Sequence, residues 1–288
     1  MRAAAILGLG CSARDLAPFQ DNESVEWSVG LPAAGEAADV ILLFGGDGTI
    51  HRHLSALVRL ALPVLVVPAG SGNDFARAIG LRSVRDSLAV WRTFYGGSGN
   101  VRAIDLGVIT ADATGEASRY FCTVAGVGLD SEVARRANRL PRWLRGNGGY
   151  ALSLLPTIFR FAPFPLKILK LSETSEWVTL SDQPTLLAAF ANTPVYGGGM
   201  KIAPEAKMDD GLLDVCVVGG VDPFKLFCMF PTVYTGRHLK IREVAYFHAP
   251  RVRIETNNAF DVYADGEYVC QTPVEVGTAP GALKIVCP

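Results

Sequence analysis

Short runs of consecutive apolar residues alternate with amphipathic stretches through the first third of the chain. Ala3–Leu9, Val40–Phe44 and Pro63–Val67 hold almost no polar positions and read as buried strands. After the second of them, Ile50, Leu54, Leu57 and Val58 recur at i, i+4, i+7 and i+8, which is one face of a helix. Strand, glycine turn, helix and strand in succession predict a parallel α/β unit. Ser83–Phe94 predicts a further helix, ended by Gly96-Gly97-Ser98-Gly99.

From about Val101 the pattern changes. Arg102–Ile109, Tyr120–Val127, Pro165–Leu171, Thr185–Ala191, Leu212–Val218, Val252–Glu255, Phe260–Ala264 and Ala282–Val286 are strand-like and divided by turn residues. Such a density of short strands predicts a largely antiparallel, sandwich-like sheet. Two helical insertions interrupt it: Gly149–Phe161, and one opening with Asp222 as N-cap and Pro223 at the first helical position. The expected architecture is therefore α/β plus β-rich. Residues 1–110 form an N-terminal α/β nucleotide-binding domain and 111–288 a larger C-terminal antiparallel β-sandwich-like domain, with a cleft between the halves.

Composition narrows the partners. Lys and Arg number 27 against 28 Asp and Glu, so no global charge favours nucleic acid. A membrane partner would need a local patch. The six cysteines form no CxxC pair and have no neighbouring histidine, which fits reduced thiols in a cytoplasmic protein. Met1–Cys11 reads as a first strand and its turn, not as a lipoprotein signal. Tyr150–Leu171 is the most apolar stretch, but Pro156, Arg160, Pro163, Pro165, Lys167 and Lys170 break it. The expectation is a soluble, cytoplasmic protein, at most peripheral to the inner membrane face.

Two glycine turns carry the strongest chemical signal. Phe44-Gly45-Gly46-Asp47-Gly48-Thr49 stands between a buried strand and a helix. Its glycines permit close backbone approach, and its N–H groups with the helix N-terminus suit phosphate oxygens. Thr49 offers a hydroxyl, and Asp47 can hold Mg²⁺ through water or orient a basic partner. Pro68-Ala69-Gly70-Ser71-Gly72-Asn73-Asp74-Phe75 repeats the arrangement, with Ser71 and Asn73 as hydrogen-bonding candidates and Asp74 placed to cap a helix. Side by side, the two turns would form one crevice for a nucleotide. Neither is a P-loop, and Gly8-Leu9-Gly10 lacks the third glycine of a dinucleotide fingerprint.

Further segments recur in a telling order: Ile104-Asp105-Leu106-Gly107, Gly126-Val127-Gly128-Leu129-Asp130, Tyr196–Pro204, Asp209–Asp214 and Asp265-Gly266-Glu267. With the two glycine turns, this series resembles the diacylglycerol kinase catalytic-domain family, soluble bacterial lipid kinases related to sphingosine kinases. The resemblance spans about residues 38 to 288. It implies an ATP- and Mg²⁺-dependent lipid kinase acting on a diacylglycerol-like hydroxyl at a membrane surface; a homodimer is left open. It implies that Gly45, Gly46, Asp47, Gly48, Thr49 and Ser71 meet the ATP phosphates, with Asn73 and Glu267 among the nucleotide-binding residues. Asp47, Asp74 and Asp105 would form an acidic network near the metal, Asp47 being counted with the catalytic residues. Asp265 would be the general base, and Asp265→Asn is expected to leave folding intact while removing most turnover. Asp210, with the backbone carbonyls of Lys207 and Leu212, would hold a structural Mg²⁺.

Plainer readings stand beside these. Asp265-Gly266 between two strand-like runs is also a hairpin turn, and Asp209–Asp214 is also a solvated turn. Leu152, Leu154, Leu155, Ile158, Phe159 and Phe161 lie near Arg135, Arg136, Arg139, Arg142 and Arg145. That combination suits either a lipid surface or a buried helix beside a solvated one. The N-terminus departs from the family: Leu7–Ser12 replaces an Asn-Pro turn, with Arg14 the nearest basic substitute. Because NAD kinases share the Gly-Gly-Asp-Gly turn, an NAD kinase-like enzyme is the second hypothesis and a non-catalytic nucleotide- or lipid-binding protein the third.

Overall fold

The computed structural model describes residues 1–97, 99–111, 118–140, 149–172 and 176–288, with the backbone alone at 149–152. It divides into two units: Met1–Leu106 with Pro280–Pro288, and Gly107–Ala279.

The first unit runs β1 (Arg2–Leu7), α1 (Ala13–Leu16), β2 (Glu26–Val29), β3 (Val40–Gly45), α2 (Asp47–Leu60), β4 (Val64–Pro68), α3 (Asp74–Ala78), α4 (Val84–Tyr95) and the start of β5 (Val101–Ala111). Its sheet is parallel, in the order β2-β1-β3-β4. Every residue of β3 and β4 is buried, as their unbroken apolar runs predict. Helix α2 buries Ile50, Leu54 and Leu57; Leu60 completes that face, while Val58 is only half-buried. In α4, Ser83 and Asp86 form a capping box, and the indole N–H of buried Trp91 donates to the Phe19 carbonyl at 2.9 Å.

The second unit contains β6 (Arg119–Phe121), β7 (Val124–Gly128), α5 (Leu129–Arg139), α6 (Gly149–Ile158), β8 (Phe164–Leu171), β9 (Trp177–Ala191), β10 (Leu213–Gly219) and α7 (Pro223–Met229). Two 3₁₀ turns, Phe230–Thr235 and Arg237–Lys240, follow α7. The unit closes with β11 (Val244–Ala249), β12 (Arg251–Thr256), β13 (Asp261–Ala264), β14 (Glu267–Gln271) and the first part of β15 (Val274–Val286).

Its pairings are antiparallel, and β9 organises them. The first part of β9, Trp177 to Thr185, pairs with β8, whereas Leu187–Ala191 pair with both β7 and β10. Ala188 and Phe190 then enter one core with Leu166, Ile168, Val252 and Val262, while Ala189 and Ala191 enter another with Met200, Ile202 and Cys216. Burial on both faces explains why Leu186–Ala191 is wholly apolar.

The sequence reading assigned all of 111–288 to the second half. Pro280–Pro288 instead group with the first unit, because Ile285 of β15 pairs in parallel with Val64 of β4.

Candidate functional site

In the first unit, β3 ends at Gly45, Gly46 is the N-cap, and Asp47, Gly48 and Thr49 make the first turn of α2. The Gly46 carbonyl accepts the N–H groups of Thr49 and Ile50 at 2.9 and 3.2 Å. The N–H groups of this first turn mark the positive end of the helix dipole. Closeness dictates the glycines. A Cβ on Gly70 would stand 2.5 Å from the Gly46 Cα, and one on Gly45 would stand 2.6 Å from the Thr49 Cβ. The two turns therefore pack backbone to backbone. The departing N-terminal turn joins them, since a Cβ on Gly8 would meet the Thr49 hydroxyl at 2.7 Å.

Asp47 links the turns. Its carboxylate accepts the backbone N–H groups of Asp74 and Phe75, each at 3.1 Å. The sequence assigned the capping of α3 to Asp74. Asp47 performs it, and Asp74 pairs with Arg77 at 3.1 Å. Asn73 takes the left-handed conformation at φ 55°. Its side chain accepts the Gly70 N–H at 2.9 Å and donates to the Gly70 carbonyl at 2.7 Å, closing the loop. Ala69, Gly70 and Ser71 are exposed at the top of it. Buried Asp105 accepts the Gly281 N–H at 2.8 Å. Among the described residues no three His, Cys, Asp or Glu side chains gather as a group able to hold a metal ion. Asp47, Asp74 and Asp105 are each engaged by protein donors.

Asp265 lies in the second unit, at the tip of the β13–β14 hairpin. With φ of 51° at Asp265 and 82° at Gly266, the tip has the left-handed backbone of a two-residue hairpin loop. The hairpin reading of the sequence and a functional role coexist here, because the carboxylate turns inward. Its Oδ1 accepts the Thr123 N–H at 2.8 Å and the Thr123 hydroxyl at 2.6 Å. Its Oδ2 accepts the Cys122 N–H at 2.9 Å and meets the Cys122 thiol at 3.5 Å. Asn138 of α5 donates to the Gly266 carbonyl at 2.8 Å and steadies the tip. Glu267, next along, is exposed.

Lys207, Asp210 and Leu212 lie on the loop leading into β10. The Asp210 carboxylate accepts the Leu212 N–H at 3.0 Å, a local turn that shapes the loop. Nearby Asp214 is almost wholly buried, accepts from Tyr246 and lies 3.1 Å from His248. Burial raises the pKa of both Asp214 and Tyr246.

An open-mouthed cavity of about 80 Å³ lies within the second unit. Leu129 and Val133 of α5, Leu154 of α6, Leu226 and Met229 of α7, and Met200, Ile202 and Val233 supply most of its wall. Its polar residues are His238 and the pair Asp130–Tyr196, joined by a hydrogen bond of 2.9 Å from the tyrosine hydroxyl. Sequence reading missed this cavity because its wall comes from segments scattered between Leu129 and Val244. The expected basic stretch is altered: Arg135 and Arg136 both pair with Glu132 at 2.7 Å, which lowers the Glu132 pKa. Arg142, Arg145 and the side chain of Leu152 lie outside the described residues.

Two family models match the chain in succession, the second of them running on through most of the C-terminal segment that groups with the first unit. Residues 25–109 match the diacylglycerol kinase catalytic domain, and residues 123–287 match the YegS C-terminal NAD kinase beta sandwich-like domain. A Mycobacterium tuberculosis protein named diacylglycerol kinase is 36% identical over 256 residues, covering 89% of this chain and 79% of that one. A Bacillus anthracis diacylglycerol kinase structure superposes with a TM-score of 0.67 at 17% identity, covering 100% of this chain and 96% of its own. An Archaeoglobus fulgidus NAD kinase solved in complex with ATP gives a TM-score of 0.55 at 15% identity, over 99% and 93% of the two chains. At these identities the structural likenesses establish the fold.

Proposed function

The chain belongs to the diacylglycerol kinase family, and on that premise we propose that it transfers the γ-phosphate of ATP to the hydroxyl of a diacylglycerol-like lipid. The observation that carries the lipid is the cavity in the second unit, whose wall is apolar except around Asp130–Tyr196 and His238. The apolar wall suits part of an acyl chain, whereas the ribose and phosphates of a dinucleotide would lose their hydrogen bonds there. That asymmetry favours a lipid over NAD.

The glycine turns fit a nucleotide's phosphates. Gly46 and Gly70 leave no room for side chains, so a phosphate would meet bare backbone at the N-terminus of α2. Thr49 and exposed Ser71 supply hydroxyls, and Asn73 holds the second turn in shape. Asp47 organises both turns by capping α3, so its contribution to turnover is through position. Asp74 and Asp105 are the carboxylates nearest in role to a nucleotide-bound Mg²⁺, which, when present, neutralises phosphate charge. Asp210 with the Lys207 and Leu212 carbonyls would hold a second, structural ion.

Phosphoryl transfer then asks the protein mainly for positioning and a proton acceptor. Asp265 is the proposed acceptor. Cys122 and Thr123 fix its direction, and the thiol contact at 3.5 Å is the weakest of the four, the one a lipid hydroxyl displaces at Oδ2. No helix among the described residues is long and apolar enough to cross a membrane. ADP formation that depends on added diacylglycerol in mixed micelles tests the reading. ADP formation driven by NAD and by no lipid would replace it.

A further inference from the structure

Two helices that wall the cavity carry a second apolar face, turned outward. On α6, Leu154 and Ile158 are buried against Leu129 and Val133, while Leu155 is 47% exposed and Phe159, in the turn directly after the helix, is 55% exposed. On α7, Leu226 packs inward, while Phe224 and Phe227, three residues apart, are 69% and 43% exposed. Such spacing places Phe224 and Phe227 on one side of α7, and Phe159 extends the exposed side of α6 that Leu155 begins. The two sides meet, for the rings of Phe159 and Phe227 lie 6.1 Å apart. A cluster of exposed phenylalanines is costly in water and calls for a partner.

The charges flanking this face are mainly basic. Arg160 follows Phe159 directly, and Arg237, Lys240 and Arg242 are exposed in and after the 3₁₀ turns that continue from α7. The acids on the same segments are engaged: Asp222 caps α7 through the Phe224 and Lys225 N–H groups, and Glu243 pairs with Lys225 at 2.6 Å. Apolar rings within a cationic rim match an anionic bilayer surface. The same two helices also line the cavity, presenting Leu154, Leu226 and Met229 to it from their other sides.

We propose that Leu155, Phe159, Phe224 and Phe227 insert into the surface of a bilayer containing anionic lipid, and that α6 and α7 thereby seat the cavity on the membrane. The role of the cavity rests on the lipid-kinase reading; the docking itself does not.

The test uses the full chain and a double variant, Phe224→Ser with Phe227→Ser, whose sites are exposed and outside the cavity wall. Co-sedimentation with phosphatidylcholine vesicles, with and without phosphatidylglycerol, should show wild-type binding strengthened by phosphatidylglycerol. The double variant should bind at least about tenfold more weakly, given the apolar area removed. Phosphorylation of a monomeric short-chain diacylglycerol should be unchanged in it, and thermal melting should confirm its fold. If no lipid is phosphorylated by either protein, the vesicle arm still decides the docking. Equal vesicle binding by the two proteins overturns the proposal. So does a wild-type dimer that the substitutions dissociate without altering vesicle binding, since the face would then join two copies of the chain.

Discussion

Thr123 gives Asp265 two hydrogen bonds to one oxygen, from its backbone N–H at 2.8 Å and its hydroxyl at 2.6 Å. Thr123→Val removes the second and keeps the first. A hydrogen bond to a charged group contributes about 1.5–3 kcal/mol, so the turnover number should fall at least about tenfold if the carboxylate's direction matters. Thr123→Ser should restore most of it. Equal rates in Val and wild-type enzyme would remove Thr123 from the account.

The same contacts change the expectation for Asp265→Asn. Asparagine tolerates the left-handed backbone, but its amide nitrogen would face an N–H of Cys122 or Thr123. The variant should lose about 1–3 kcal/mol of stability, in contrast to the intact folding expected from sequence. Turnover should fall by about 10²–10⁴. Urea unfolding alongside rate measurement separates the two effects.

Gly70→Ala tests the packing of the two glycine turns. The added methyl would approach the Gly46 Cα to 2.5 Å and the Asn73 Oδ1 to 2.9 Å, and backbone cannot yield as a side chain would. A loss of about 1–3 kcal/mol is expected from overpacking, together with weaker ATP binding by calorimetry. Retained stability and affinity would mean that the turns move apart freely.

Val233 lines the cavity and is 7% exposed. Val233→Phe should shorten the space for a chain and raise KM for a long-chain diacylglycerol by about tenfold. KM for a short-chain substrate should stay near its wild-type value. A parallel rise for both would place the lipid chain elsewhere.

His238 supplies a pH signature. Its side chain is buried, with Nε2–H donating to the Ile202 carbonyl at 3.1 Å. Burial lowers its pKa, against a smaller upward pull from that carbonyl. The unfolded chain therefore takes the proton first. Stability from the neutral imidazole is complete above the unfolded pKa of about 6.5 and is lost as pH falls through the lowered folded value. Melting temperature should drop more steeply on acidification in wild type than in His238→Gln. Parallel curves would show that His238 protonates without cost.

Much of this was legible in the sequence because its causes are local. The runs Val40–Phe44 and Val64–Val67 are apolar because both faces of their strands are buried. Asp222-Pro223 announced α7, and the cap forms as its residue types require. Three things were not legible. The edge strand β2 is mostly exposed and short, so no periodicity marks it. The cap of α3 comes from Asp47, 27 positions upstream, and no local pattern carries such a contact. The cavity wall and the Cys122–Thr123 grip on Asp265, 142 positions apart at Thr123, arise only when distant segments meet.

The most direct measurement follows labelled γ-phosphate from ATP, with Mg²⁺, into a panel of diacylglycerol, sphingosine-like and other hydroxylated lipids, with NAD alongside. A labelled product is expected on a diacylglycerol-like lipid, formed by wild type and almost absent with Asp265→Asn. Label on NAD alone, or on no acceptor while ATP is bound, would contradict it.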